Sequence, residues 1–125
     1  MNGVGIVLIS HSEKIVQGLK EIIRQVITEV PVEIAGGTND GGIGTSIDKI
    51  TAAMKQADHG EGVIVFYDLG SAKMNAEMAI EMMDQENIVI SEAPLVEGSY
   101  VAAVEASTGK TLDGIMESLQ AGFGQ

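Results

Sequence analysis

The chain contains two histidines and no cysteine, so imidazole is its most obvious nucleophile. His11 lies in Ser10-His11-Ser12-Glu13, directly after the apolar run Val4-Gly5-Ile6-Val7-Leu8-Ile9. Asp68 holds the matching place after a second apolar run, Val63 to Tyr67, and is followed by Leu69-Gly70-Ser71. A carboxylate on one ring nitrogen fixes the tautomer and leaves the other nitrogen to attack an electrophile such as a phosphoryl group. Once phosphorylated, the ring keeps a proton on its second nitrogen, which the same carboxylate stabilises. Ser10 with Glu13 three residues on reads as a capping box, which predicts His11 in the first turn of a helix. Free backbone N–H groups there attract anions. Gly70-Ser71 reads as a tight turn entering a helix, offering amides and a hydroxyl to phosphate oxygens. The glycine-rich loop 36–42 is expected to lid the site, with Gly37 and Thr38 contacting the phosphate.

Each feature also has a plainer reading. His11 suits a polar loop, Ser71 a helix N-cap, and the glycine loop a simple connection. Other motifs fail on spacing. Gly109-Lys110-Thr111 resembles the end of a phosphate-binding P-loop, but the first required glycine position is Val104 and no strand precedes it. His59 stands before Gly60 near a helix end, where a dipole interaction explains it. Two histidines and scattered carboxylates give no metal-ligand spacing, and no cofactor is implied.

The elements that must position these residues follow from periodicity. Val4 to Ile9, Val32 to Ala35, Val63 to Tyr67 and Asn87 to Ile90 read as strands, apolar throughout as in a sheet covered on both faces. Between them run helical patterns. The first carries Ile15, Leu19, Ile22 and Val26 beside Val16, Ile23 and Ile27, two rows on one broad face. Ile47, Ile50 and Met54 mark the second, which ends near Asp58. A Met- and Ala-rich helix spans about 71–83, its Met74-Met78-Met82 stripe suited to core or a subunit interface. Pro94 suits the first turn of a helix through Leu95, Val96, Tyr100 and Val104. Leu112, Ile115, Met116 and Leu119 make the last helix. The alternation predicts an α/β fold, a three-layer α/β/α sandwich around a mostly parallel, doubly wound sheet, with residues 1–125 as one domain. In such a sheet ligands bind beyond the carboxyl ends of the strands, where His11, Asp68 and the glycine loop all fall.

Composition narrows the partners. The 125 residues carry 18 acidic and 7 basic side chains, a net charge of −11. That field repels nucleic-acid phosphates and anionic lipid and favours docking on a basic protein surface. No apolar run is long enough to span a bilayer and no secretory signal is visible. With the absence of cysteine, this suits a cytoplasmic protein.

The first strand ending in Ser10-His11-Ser12, followed by Val16-x-Gly18-Leu19, resembles the mannose-type EIIA domains of the bacterial phosphotransferase system. Gly36-Gly37-Thr38-Asn39-Asp40-Gly41 with Gly44-Thr45-Ser46 resembles one branch of that family, the phosphotransfer subunits of dihydroxyacetone kinases. So does Asp68-Leu69-Gly70-Ser71-Ala72 with Met74-Asn75-Ala76-Glu77. The resemblance covers essentially the whole chain. It implies that His11 is phosphorylated by the phosphocarrier HPr and passes phosphate to ADP on the kinase subunit DhaL, which acts with the substrate-holding subunit DhaK. It further implies that Asp68 hydrogen-bonds His11, that Gly70 and Ser71 lie nearest the phosphate, and that the protein is a homodimer.

Three alternatives stand beside this reading. A receiver-type signalling domain shares the alternation and an acid after the third strand, but needs acidic Mg²⁺ ligands where Ser10-His11 stand. A serine hydrolase using Ser10 or Ser71 lacks the G-x-S-x-G turn. The acceptor of phosphate is also open between the dihydroxyacetone system and a mannose-type sugar permease.

Overall fold

A computed structural model describes residues 3–124. The elements run β1 (Gly5–Ser10), α1 (Glu13–Arg24), β2 (Val32–Gly36), α2 (Ile47–Ala57), β3 (Val63–Tyr67), α3 (Gly70–Met83), β4 (Ile88–Ile90), α4 (Leu95–Ser107) and α5 (Leu112–Phe123). The four strands form one sheet in the order β2-β1-β3-β4, and every pairing is parallel. From β1 the chain winds outward to β2, then crosses back to β3 on the other side. The β1–β3 junction is therefore the topological switch point, where the loops leave in opposite directions and open a crevice.

Strand alternation divides the core between two faces. Ile6, Leu8, Ile64 and Phe66 point to the side covered by α1, α4 and α5, packing with Val16, Leu19, Ile23, Ala102 and Ile115. Val7, Ile9, Val63 and Val65 point to the side covered by α2 and α3, packing with Ile50, Met54, Ala72, Ala76 and Ala79. This is the three-layer sandwich with a parallel sheet that the alternation predicts. The burial of β1 at all six positions explains its unbroken apolar run.

The helix faces are narrower than their apolar patterns suggest. In α1 only Val16, Leu19 and Ile23 are buried, while Ile15 and Ile22, and Val26 just beyond the helix, are about half exposed or more. The first row of that broad face, Leu19 excepted, falls on a flank of the helix that the sheet does not cover. In α3 the buried residues are Ala72, Ala76 and Ala79. Small side chains let this helix lie close to the sheet, which turns Met74, Met78 and Met82 outward at 49–72% exposure. The methionine stripe is thus surface, not core. Pro94 is the N-cap of α4, one position before the first turn.

Close approach shapes the end of β2. A Cβ on Gly36 would lie 2.6 Å from Val16 Cγ2 and 2.7 Å from Glu13 Cα, so only glycine lets β2 run alongside the start of α1. Its neighbour Gly37 has φ +74°, which turns the chain sharply back over the sheet edge. Among the described residues no helix is long and apolar enough to cross a membrane.

Candidate functional site

The register of β1 on β3 brings the site together. Ile9 pairs with Tyr67, so the next residues along, Ser10 and Asp68, meet across the carboxyl edge at the switch point. Both lie on the same strand parity and turn to the same side. Ser10 is fully buried, and its Oγ donates to Asp68 Oδ2 at 2.8 Å while accepting the Ser12 amide at 3.0 Å.

This corrects the expected capping box. The N-cap of α1 is Ser12, in extended conformation and with no side-chain cap, and the helix starts at Glu13. Ser10 cannot cap because its hydroxyl is still within the strand, held by Asp68. His11 therefore precedes the helix and lies in the β1–α1 connection, not in the first turn.

Asp68 gathers four donors. Its Oδ2 accepts from the Ser10 hydroxyl and from the His11 amide at 3.0 Å. Its Oδ1 accepts from the Leu69 amide at 2.7 Å and lies 3.0 Å from His11 Nδ1. Partial burial pushes the Asp68 carboxyl upward. The amide and ring of His11, the Ser10 hydroxyl and the Leu69 amide outweigh that and hold it below its ordinary value. An ionised carboxylate only accepts, so Nδ1 carries the proton and Nε2 keeps its lone pair. Both side chains are about one-fifth exposed, a half-sheltered position open to an incoming group.

Nε2 faces Ser71 Oγ at 2.7 Å. Ser71 occupies the second position of α3, whose N-cap is Leu69, so its hydroxyl does not cap the helix and is directed at the ring. The first amides of an α-helix have no partner within it. Gly70 and Ser71 are the first two residues of a 14-residue helix, so their amides belong to this set and lie at its positive end.

The glycine loop closes over the backbone of this segment. The Gly37 amide donates to Ser10 O at 3.1 Å and the Gly44 amide to His11 O at 2.9 Å. The Thr38 amide donates to Gly42 O, and its hydroxyl joins Asp40 Oδ1 and the Gly42 amide. Gly37 and Thr38 thus brace the loop and the strand exit. His59 lies in the turn after α2, away from this cluster in the fold. Two features had no reading in the sequence. One is the Ser10–Asp68 bond, for which equal strand parity is the available signal. The other is the grouping of Tyr67, Lys73 and Glu92, which only the placement of β4 reveals.

Residues 5–116 match the family model described as the PTS system fructose IIA component, EIIA-man. The chain belongs to that family. It is 40% identical over 116 residues to the phosphotransferase subunit DhaM of the PTS-dependent dihydroxyacetone kinase of Lactococcus lactis, covering 93% of each chain. It is 42% identical over 101 residues to the phosphoryl donor subunit DhaM of PEP-dependent dihydroxyacetone kinase 1 of Listeria innocua, with 81% of this chain and 80% of that one covered. The Escherichia coli subunit DhaM is 33% identical over 120 residues, and there the match spans 25% of a longer protein. A crystal structure of a protein of unknown function superposes with a TM-score of 0.84 at 35% identity, covering 95% and 93% of the two chains. The EIIA fold and the Ser10-His11, Asp68 and Ser71 constellation are thus found in a chain related over nearly all its length to phosphotransfer subunits.

Proposed function

We propose that this EIIA-man chain is a phosphohistidine carrier that serves a dihydroxyacetone kinase, with residues 1–125 acting as one phosphotransfer domain. The observation that carries the proposal is the His11 ring, tied through Nδ1 to Asp68 with Nε2 facing the first turn of α3. His11 Nε2 attacks the phosphorus of the phosphohistidine on HPr. The new Nε2–P bond forms as the N–P bond of the donor breaks, and the electron pair returns to the donor ring. Nδ1 keeps its proton throughout, and Asp68 balances the positive charge that the ring acquires. The Ser71 hydroxyl rotates from Nε2 to a phosphoryl oxygen, joined by the Gly70 and Ser71 amides. In the second transfer a terminal oxygen of ADP on DhaL, which acts with DhaK, attacks the phosphorus as the Nε2–P bond breaks and its electron pair returns to the His11 ring. With its amide on Ser10 O, Gly37 steadies the strand exit before His11, and Thr38 holds the shape of the loop whose Gly44 amide bonds His11 O, so these two residues support the phosphate site from behind.

The relatives at 38–42% identity support this assignment of the acceptor over a sugar permease, which the family description alone favours. The net charge of −11 suits a basic rim on the donor and predicts an association rate that falls as salt rises. The outward methionines of α3 supply apolar surface for a homodimer. A cytoplasmic location, where HPr and ADP are found, belongs to the same reading.

The test is incubation with phosphoenolpyruvate, Enzyme I and HPr, followed by mass spectrometry. One acid-labile, base-stable phosphate is expected, and none in His11→Ala. Adding purified DhaL with ADP should discharge the label, whereas a sugar-specific EIIB should not. An unlabelled wild-type chain overturns the carrier reading, and discharge only to EIIB overturns the kinase assignment.

A further inference from the structure

The first turn of α3 presents Ser71 to His11, yet the helix does little to secure its own start. Its N-cap, Leu69, has no capping side chain, and the first turn contains no acidic residue. Asp68 stands just before the cap but is committed to His11 and Ser10, and the first charged residue within the helix is Lys73, a cation where the helix dipole favours an anion. The compensation comes from outside the helix. Glu92, just beyond β4, accepts Lys73 Nζ on Oε2 at 2.6 Å and the Tyr67 hydroxyl on Oε1.

Tyr67 ends β3 and immediately precedes Asp68. Lys73 follows Ser71 by two residues. A single carboxylate therefore joins the strand end that delivers Asp68 to the helical turn that delivers Ser71. The two neighbouring β3 positions have opposite tasks: Tyr67 packs on the α2–α3 side of the sheet, while Asp68 turns toward Ser10 and His11. Nothing in the Asp68–His11 contact itself would fix the distance to α3 beyond the Leu69 amide. The Glu92 bridge fastens the opposite flank of the same turn, beside the burial of Ala72 and the Asn75–Thr45 bond one turn on.

We infer that Glu92 is a positioning residue for phosphoryl transfer, holding Lys73 and Tyr67 so that Ser71 Oγ stays in register with His11 Nε2. Glu92 touches neither the ring nor the phosphoryl group and acts through Ser71. The charge states suit the task. Lys73, then Tyr67, hold the Glu92 carboxyl below its ordinary value, and Glu92 pushes both of its partners upward. Near neutral pH the cluster is carboxylate, ammonium and phenol, each able to make its bond.

The inference rests on the carrier reading, and a four-way comparison separates the two. The rate of His11 phosphorylation from phospho-HPr is measured for wild type, Glu92→Gln, Ser71→Ala and the double variant, with a thermal melt of each. Glu92→Gln is expected to slow transfer about tenfold, since small misplacements of reacting groups are costly. In the Ser71→Ala background the same change should cost less than about twofold, because residues acting through one another are not additive. Should Glu92→Gln fail to fold, Tyr67→Phe and Lys73→Met each remove one arm and enter the same comparison. An unchanged rate overturns the inference, as does an equal loss in both backgrounds, which makes Glu92 independent of Ser71. A wild-type chain that takes no label overturns the carrier reading instead.

Discussion

Helices α3 and α5 begin in opposite ways. At α5 the Thr111 hydroxyl accepts the Gly114 amide at 3.2 Å, and Asp113 places negative charge in the first turn. Both devices satisfy and neutralise a helix N-terminus. That turn lies at the amino edge of the sheet, against Gly62 at the entry to β3. At α3 the cap is an exposed leucine, the first turn holds no acid, and the one hydroxyl available is turned away to His11 Nε2. Helix α1, the other element entering the site, likewise lacks a side-chain cap. Helix α2, set off from His11 by the glycine loop, has the usual serine cap in Ser46. The difference follows proximity to His11, not the edge of the sheet, since the capped α2 also starts at the carboxyl edge. Helices α2 and α5 are capped by their own side chains, and α4 starts at Pro94 without one, whereas neither helix that frames His11 spends a side chain on its cap.

Asp68→Asn should break the site end most completely. An amide nitrogen in the Oδ1 place would donate toward Nδ1, moving the ring proton to Nε2 and removing the attacking lone pair. In the Oδ2 place it would meet the Ser10 hydroxyl and the His11 amide, with only the hydroxyl able to turn. Transfer from phospho-HPr is expected to slow by about 10³-fold or more, as carboxylate-to-amide changes do beside other nucleophile-activating histidines. Rapid-quench labelling measures it, and a loss of under tenfold would deny Asp68 this role.

The same carboxylate gives a pH signature that the α5 end lacks. Its folded value is lowered, so the stability it contributes is complete above its ordinary value of 3.8 and is lost as pH falls through the folded value. Thermal melts of wild type and Asp68→Asn should therefore differ most at neutral pH and converge in acid below about pH 4. A constant difference across that range would mean that Asp68 is not titrating from a stabilised ionised state.

Ser71→Ala tests the first turn of α3 alone. The residue is exposed and is not a cap, so its melting temperature should barely move. Transfer should slow about tenfold, less than for a donor in a fully buried oxyanion site because water replaces part of the contact. The His11 ring itself stays tied to Asp68, so labelling should remain confined to that residue.

How far the sequence disclosed this site depends on what fixes each part. His11 and Asp68 were legible because each follows a continuous apolar strand, and parallel sheets open their ligand sites at that edge. The wrong capping box at Ser10-Glu13 shows where local rules lose to tertiary contacts: a hydroxyl still inside β1 has Asp68 within reach before any helix amide. The methionine stripe of α3, read as core or a subunit interface, loses only the first of those readings. Periodicity reveals that Met74, Met78 and Met82 share a face, but Ala72, Ala76 and Ala79 share another, and close packing on the sheet chooses the smaller set. Glu92 reads in the sequence only as a polar residue after the fourth strand, and its grouping with Tyr67 and Lys73 was out of reach. Its role depends on β4 lying next to β3, and strand order is not written in local spacing.

Thr111→Ala is the complementary change at the other edge, with the smallest expected effect. Removing a threonine N-cap costs about 1 kcal/mol, since the Gly114 amide loses its acceptor while the backbone stays helical. For a domain of this size that lowers the melting temperature by about 4 °C. The rate of His11 phosphorylation should stay within about twofold of wild type, because α5 reaches the site only through α4 and the buried face beneath β1 and β3. Ser71→Ala and Thr111→Ala thus exchange effects, one acting on rate and the other on stability. If both variants instead lost stability and rate together, the uncapped start of α3 would be a structural weakness of the fold and not an opening for phosphate.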